Sequence, residues 1–264
     1  MHLAASNTKV QRLRRLVGRR SARYEEGLCV VEGPVLLRDA IHAGINIIEI
    51  FVREDRVDDI EYRDAPTFVL SPSVFDSVSD ARTPQGVMAV CELPRESTPT
   101  WNANTWAVIA DGIADPGNLG TIVRSAEVAG ATAVLLMNNT VDPYSPKTIR
   151  ASAGAVFHLP IIDTVTYDDM RAVGMRLIGT TSHDATEVHP QSLYAIDCAG
   201  CLGIVLGNET RGLSFDASVD EWVTIEHVGR SESLNVAMAA SIIAMHVARE
   251  RMLKTSTDSQ PSKG

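Results

Sequence analysis

The chain has 264 residues, 45% of them hydrophobic and 22% charged, with a formal net charge of −9. That is the length of one large domain or two ordinary ones, with the composition of a soluble globular protein. The acidity argues against a surface coated with non-specific phosphate contacts, and aromatics at 5% argue against base stacking as the main recognition mode.

Charge is unevenly spread, because Lys9, Arg12, Arg14, Arg15, Arg19, Arg20 and Arg23 all precede the first acidic residue, Glu25. A basic end on an acidic chain reads either as a local nucleic-acid contact or as a solvated helix face. Val10, Leu13, Leu16 and Val17 make a helical stripe, so Asn7 to Val17 is expected to be a packed helix rather than a secretory or transit leader. Leu28 to Val31 reads as a short strand. Pro34 suits the first turn of a helix running to Ala43, with Gly44 just past its end. Ile45 to Val52 is a β-branched strand, Thr67 to Leu70 and Gly86 to Cys91 are two more, and a small helix follows Ser71. Residues 1–95 thus predict a small α/β unit with its own core, and residues 96–104, polar and proline-containing, predict a linker.

From 105 to 253, strands and helices alternate. Strands are expected at Trp106–Ala110, Ala133–Met137, Ala155–Leu159, Arg176–Thr180, Cys201–Leu206 and Trp222–Ile225. Helices are expected at Leu119–Val128, Pro146–Ala153, Tyr167–Val173 and Leu234–Leu253. This pattern predicts an α/β fold built on a mostly parallel sheet with helices on both faces. The last helix is apolar on nearly every side up to Val247, so it is expected to pack on the sheet and on a second subunit, with His246 as a satisfied core histidine. Residues 254–264 are polar and expected to be disordered. No run approaches the roughly 20 apolar residues of a membrane span, and a cytoplasmic location is expected. Cys198-Ala-Gly-Cys201 has the spacing of a redox pair or half a zinc site, but no second pair accompanies it. Cys201 opens an apolar run and reads as a small buried hydrophobe, so no metal is expected.

Three stretches carry polar residues at strand ends, where open α/β sheets bind ligands. They are Asp115-Pro-Gly-Asn-Leu-Gly-Thr-Ile-Val-Arg124, Leu206-Gly-Asn-Glu-Thr-Arg-Gly212 and Glu232-Ser-Leu-Asn-Val236. Gly112 to Gly117 has the glycine spacing of a phosphate loop, but Asn118 and Leu119 stand where Lys and Ser or Thr would contact phosphate and magnesium. No dinucleotide fingerprint and no nucleophile elbow occur, which disfavours NTPases, nucleotide-dependent oxidoreductases and α/β-hydrolases. The remaining candidates are Asn118, Arg124, Glu209, Ser233 and Asn235. Each has a structural alternative: Asn118 and Ser233 as helix caps, Arg124 as an ion-paired surface residue, Glu209 and Asn235 as local turn and helix-start residues.

Together the three stretches resemble the signature motifs of the SpoU/TrmH branch of the SPOUT RNA methyltransferases. Val31-Glu-Gly-Pro-Val-Leu-Leu-Arg-Asp-Ala40 and Thr83-Pro-Gln-Gly-Val-Met-Ala-Val90 are similar to the substrate-binding domain that precedes the catalytic domain in many members. The resemblance implies transfer of a methyl group from S-adenosylmethionine to a ribose 2′-hydroxyl of rRNA or tRNA by a homodimer whose catalytic domain carries a trefoil knot. It also implies cofactor contacts at Gly207, Ile225, Leu234, Thr180 and Thr181, and catalytic roles for Arg124, Asn118, Glu209, Ser233 and Asn235. Arg14, Arg15, Arg19 and Arg20 are the expected RNA contacts. An inactive RNA-binding homologue in ribosome assembly is the alternative. One departure stands out: the family commonly has Ile-Pro-Met before the third motif, where this chain reads Ile225-Glu-His-Val-Gly229.

Overall fold

The computed structural model describes residues 2–59, 64–95, 97–182, 188–214, 218–230 and 233–258. It divides into two compact units, Met1–Arg95 with Asp142–His158, and Glu96–Val141 with Leu159–Gly264.

The first unit contains β1 (His2–Leu3), α1 (Thr8–Gly18), α2 (Arg20–Glu26), β2 (Leu28–Glu32), α3 (Pro34–His42), β3 (Ile47–Arg53), β4 (Thr67–Leu70), α4 (Pro72–Asp76) and β5 (Val87–Glu92). Asn7 starts α1 by accepting a hydrogen bond from the Lys9 N–H at 2.9 Å, and Val10, Leu13 and Leu16 are buried as the stripe requires. Pro34 opens α3, and Gly44 beyond its end takes φ +76°. The strands form a mixed sheet in the order β1-β4-β3-β5-β2. Its core joins the α1 stripe to Phe51, Phe75 and Met88.

The second unit begins with β6 (Trp106–Ala110), α5 (Pro116–Val128) and β7 (Ala133–Met137). The chain then contributes α6 (Pro146–Ala151) to the first unit. It resumes in the second with β8 (Ile161–Val165), α7 (Tyr167–Ala172), β9 (Arg176–Thr180), β10 (Gln191–Ser192), β11 (Leu202–Leu206), β12 (Glu221–Thr224) and α8 (Val236–Asp258). Every strand pairing in this sheet is parallel, in the order β10-β12-β9-β11-β6-β7-β8. The chain runs from β6 outward to β8, then crosses to the other side, and β11 later fills the place beside β6. The β6–β11 seam is therefore a switch point, where α/β sheets open a crevice at their carboxyl ends.

Several expectations are corrected. Ala155–Leu159 is not a strand: Ala155–Phe157 forms a buried 3₁₀ turn after Gly154, which takes φ +89°. The strand lies just beyond, at Ile161–Val165, and was hidden because it is only half-buried. The sequence placed residues 142–158 in the catalytic domain, whereas the structure groups them with the first unit. The physical reason is a buried ion pair, Arg23 Nε to Asp142 Oδ2 at 2.7 Å, reinforced by Arg150 to Asp80 at 2.7 Å. Helix α8 runs to Asp258, past its expected end at Leu253 and into the expected disordered tail, whose residues 259–264 lie outside the described residues. His246 is half-buried edge-on to Tyr194, and its Nε2 has no hydrogen-bond partner among the described residues, so it is not a satisfied core histidine. All four cysteines are free. No helix among the described residues is long and apolar enough to cross a membrane.

Candidate active site

The register of the central strands brings the first two motifs side by side. Leu206 at the end of β11 pairs with Ala110 at the end of β6, and the next N–H, that of Asp111, donates to Leu206 O at 2.9 Å. The segments 111–118 and 207–213 therefore leave the sheet together.

Asp115, not Asn118, is the N-cap of α5: its Oδ1 accepts from the N–H groups of Gly117 at 2.7 Å and Asn118 at 3.0 Å. That leaves the Asn118 side chain available for other work. Its Nδ2 donates to Glu209 Oε1 at 3.0 Å, and its Oδ1 accepts from Asn235 Nδ2 at 3.1 Å. Asn235 in turn caps α8, its Oδ1 accepting from the N–H of Ala237 at 2.9 Å and of Met238 at 3.3 Å. The expected capping role of Ser233 thus falls to Asn235. One line of hydrogen bonds, Glu209–Asn118–Asn235, joins all three motifs.

Glu209 acts here as an acceptor. Its two oxygens also take hydrogen bonds from the backbone N–H groups of Ala114 and Asp115, both at 3.1 Å. Burial pushes its pKa up, but the bonds from Asn118 and the backbone outweigh it and hold the carboxyl below the usual range. A carboxylate so stabilised is a poor proton acceptor near neutral pH and a good lock for the 114–118 turn. Its depressed pKa sets the direction of its pH dependence: the lock is complete above the ordinary glutamate pKa and is lost as pH falls through the lowered one.

Behind this line lies a cavity of about 500 Å³, bordered by residues 206–213, 223–227 and the start of α8. Gly207, Ile225, Leu234, Thr180, Thr181 and Ser233 all line it, as do Asn118, Glu209 and Asn235. Ile225 keeps its place despite the unusual Glu226 and His227 beside it. Thr180 Oγ1 donates to Val205 O at 2.9 Å, and the Thr181 N–H donates to Val223 O at 3.0 Å, which fixes the end of β9 against both neighbours. Arg124 does not line the cavity. It is exposed on α5, roughly 240° round the helix from Asn118 at ~100° per residue, and has no hydrogen-bond or ion-pair partner among the described residues.

Two residues were missed. Asn208 Nδ2 donates to Gly112 O at 2.7 Å while its Oδ1 accepts from the N–H groups of Thr210 and Arg211, at 3.0 and 3.1 Å. It ties the two motif loops together, and an Asn between a Gly and a turn was the available signal. Thr224 lines the cavity, and its buried Oγ1 has no hydrogen-bond partner among the described residues. A hydroxyl at a strand end gives no sequence signal.

A parallel sheet with a cavity at its switch point, bordered by loops from three motifs, defines an α/β protein with a ligand pocket at its strand ends. Residues 105–245 match the model of the SpoU rRNA Methylase family, and residues 7–89 match that of the MRM3-like substrate binding domain. The chain belongs to the SpoU rRNA methylase family. It is 31% identical over 254 residues to the 23S rRNA (guanosine(2553)-2′-O)-methyltransferase RlmP of Bacillus subtilis, covering 92% of this chain and 97% of that protein. It is 27% identical to the 23S rRNA (uridine(2479)-2′-O)-methyltransferase of Streptomyces viridochromogenes, covering 95% and 92%. Among solved structures, AviRb from Streptomyces viridochromogenes in complex with AdoMet superposes with a TM-score of 0.81 at 26% identity, covering 93% of this chain and 98% of that one. The AdoMet-bound rRNA methyltransferase from Sinorhizobium meliloti gives 0.80 at 27% identity, covering 94% and 97%.

The cavity suits S-adenosylmethionine, the cofactor bound in these two neighbours. Leu206, Val223, Ile225 and Leu234 offer apolar surface, while the unpartnered Thr224 hydroxyl offers a polar atom in need of a bond. Gly207 is needed for the packing of its own loop. A Cβ there would come within 2.2 Å of Leu213 N and 2.3 Å of Gly212 C, so the loop's own backbone occupies that space. Gly207→Ala is expected to force the 207–213 loop open and weaken S-adenosylmethionine binding about 10- to 100-fold, the scale of an overpacked site. Calorimetric titration checks this; an affinity equal to wild type would show that the loop yields without cost.

Proposed function

We propose that this protein methylates a ribose 2′-hydroxyl of 23S-type ribosomal RNA, with the second unit as the methyltransferase domain and the first as the RNA-binding domain. The observation that carries the proposal is the Glu209–Asn118–Asn235 line at the mouth of the cavity. It makes one rigid rim from three loops, which is what alignment of an incoming oxygen with a methyl donor requires. S-adenosylmethionine supplies a methyl group on a sulfonium, already a good leaving group. Asn118, Glu209 and Asn235 hold the loops and the ribose, and Ser233 lies beside them on the same wall. Arg124 grips the neighbouring phosphate and stabilises the developing alkoxide, since a guanidinium does not give up its proton near neutral pH.

The proposal includes a homodimer. Met238, Ile242 and Met245 recur along one face of α8 and are 63%, 39% and 53% exposed, with Val128 of α5 at 66%. A contiguous apolar stripe of this kind marks an interface, and a second copy of the chain is its proposed occupant. The trefoil knot implied by the resemblance belongs to the same proposal, as does a cytoplasmic location. For RNA contact, the basic segment is reduced to part of its length. Arg15 pairs with Glu26 at 3.2 Å, Arg14 donates to Ser77 Oγ at 2.8 Å, and Arg12, Lys9 and Arg23 are paired with Glu26, Glu49 and Asp142. Arg19 and Arg20 are exposed, Arg20 with its guanidinium 5.2 Å from the Tyr24 ring centroid, and both are proposed phosphate contacts of this segment. Ribosomal RNA is preferred to tRNA because two relatives matched over nearly the full length of both chains are named for 23S rRNA. The intact motif residues favour an active enzyme over a binding-only homologue.

The test is to incubate the chain with methyl-labelled S-adenosylmethionine and unmodified 23S rRNA, then map the label by nuclease digestion and mass spectrometry. Label on one ribose is expected. Label on a base, or none in the presence of bound cofactor, would sink the proposal.

A further inference from the structure

A second cleft, of about 350 Å³, lies in the first unit between the start of α3 and the 83–87 segment. It is lined by Pro34, Arg56, Thr83, Pro84 and Gln85. Its walls are built, not incidental. The buried Glu32 carboxylate accepts from the backbone of Gln85 in the wall and from Ser79 Oγ at 2.7 and 2.8 Å, with Arg150 Nη1 at 3.5 Å. The Gly33 N–H donates to Val87 O at 3.0 Å, tying the two sides together.

Gly86 in the cleft and Gly33, just before Pro34, take conformations that other residues avoid, at φ +83° and φ +108°. Each makes room for a functional side chain. A Cβ at Gly33 would lie 2.4 Å from Gln85 Oε1, and a Cβ at Gly86 would lie 2.6 Å from Arg56 Cγ. The carboxamide of Gln85 is thereby laid over the entrance of α3, and the Arg56 stem across Gly86. Gln85 and Thr83 are exposed, and their side chains have no hydrogen-bond partner among the described residues.

We infer that this cleft binds one unpaired nucleotide of the RNA substrate. This deepens the RNA-methyltransferase reading and rests on it. The chemistry matches element by element. A carboxamide offers a donor and an acceptor in one plane, which is how Gln reads a base edge. Pro34 and Pro84 give apolar surface to a base face in a protein poor in aromatics. Arg56 supplies the positive charge for the attached phosphate. The volume lies at the lower end of the ~300–1,000 Å³ typical of small-ligand sites, so it suits a single nucleotide and not a helical segment. Sequence-specific recognition of RNA is directed at such splayed-out bases.

The experiment uses the full chain and 23S rRNA transcripts carrying 4-thiouridine or 6-thioguanosine, with Gln85→Ala and Arg56→Ala beside wild type. Melting temperature and S-adenosylmethionine affinity of both variants should equal wild type. Photocrosslinks should fall in the 83–87 peptide, and the KM for unmodified transcript should rise about tenfold or more with kcat retained, the scale of one lost base contact. If wild type methylates the transcript but both variants keep its KM and no crosslink reaches 83–87, the cleft is not a nucleotide site and the enzyme reading stands. If wild type binds cofactor but methylates no RNA, both fall together.

Discussion

Arg124→Ala is expected to lower kcat for methyl transfer at least ~10²-fold, the cost of removing one charged donor from a developing oxyanion, with cofactor affinity unchanged. The separation of the two effects follows from where the residue sits. Arg124 is exposed, lies outside the cavity, and holds no partner among the described residues, so its loss disturbs neither the fold nor the cofactor pocket. Its neighbours on α5 do that work instead: Ser125 Oγ meets Ser241 Oγ of α8 at 2.7 Å, and Asn118 holds Glu209 and Asn235. An unpaired guanidinium is available to a phosphate and an alkoxide at once, which a planar fork of donors can serve and a point charge cannot. Arg124→Lys separates charge from shape, and is expected to recover only a small part of the lost rate. Single-turnover methylation at saturating cofactor, beside a calorimetric titration, checks both variants. Near-wild-type turnover of the Lys variant would remove the bidentate role, and a parallel loss of cofactor binding in the Ala variant would place Arg124 in the pocket after all.

The types of residue in this site were legible in the sequence, but their partnerships were not. Asn118 could not be told from a helix cap, because the true cap, Asp115, stands only three positions earlier and is an equally good capping residue. Its contacts, Glu209 and Asn235, lie 91 and 117 residues away, and only the insertion of β11 beside β6 brings the first of them near. Strands with continuous buried runs, such as Trp106–Ala110 and Arg176–Thr180, were placed correctly to the residue. Ile161–Val165 was not, since its alternation of half-buried and exposed residues is weak beside the buried turn before it. Charge patterning was silent on partners in the same way. The acids that pair with Arg12, Lys9 and Arg23, namely Glu26, Glu49 and Asp142, follow later in the chain, where composition gives no hint of their position.

Arg23 is the strongest case, and its replacement carries the largest expected cost to stability. Its side chain is 4% exposed and that of Asp142 is 5% exposed, with Nη2 at 2.5 Å from Oδ2. The remaining donors are also used, Nη1 reaching Leu16 O at 2.6 Å and Val17 O at 3.1 Å. Asp142 for its part accepts from the Tyr144 N–H at 2.9 Å. Beside them the buried Cys29 thiol is pushed up to about 12, by burial first and by Asp142 next, with Arg23 offsetting part of it. Arg23→Met would leave a carboxylate buried among neutral groups and two carbonyls without their donor, a loss of about 3–5 kcal/mol. Amide hydrogen exchange in α1 and β2 should then lose about 100-fold or more of its protection. Adding Asp142→Asn removes the stranded charge while keeping an oxygen for the Tyr144 N–H, so the double variant should regain part of that protection. Recovery would assign the cost to the uncompensated charge, and a single variant within about 1 kcal/mol of wild type would mean that apolar packing, not this pair, holds residues 142–158 on the first unit.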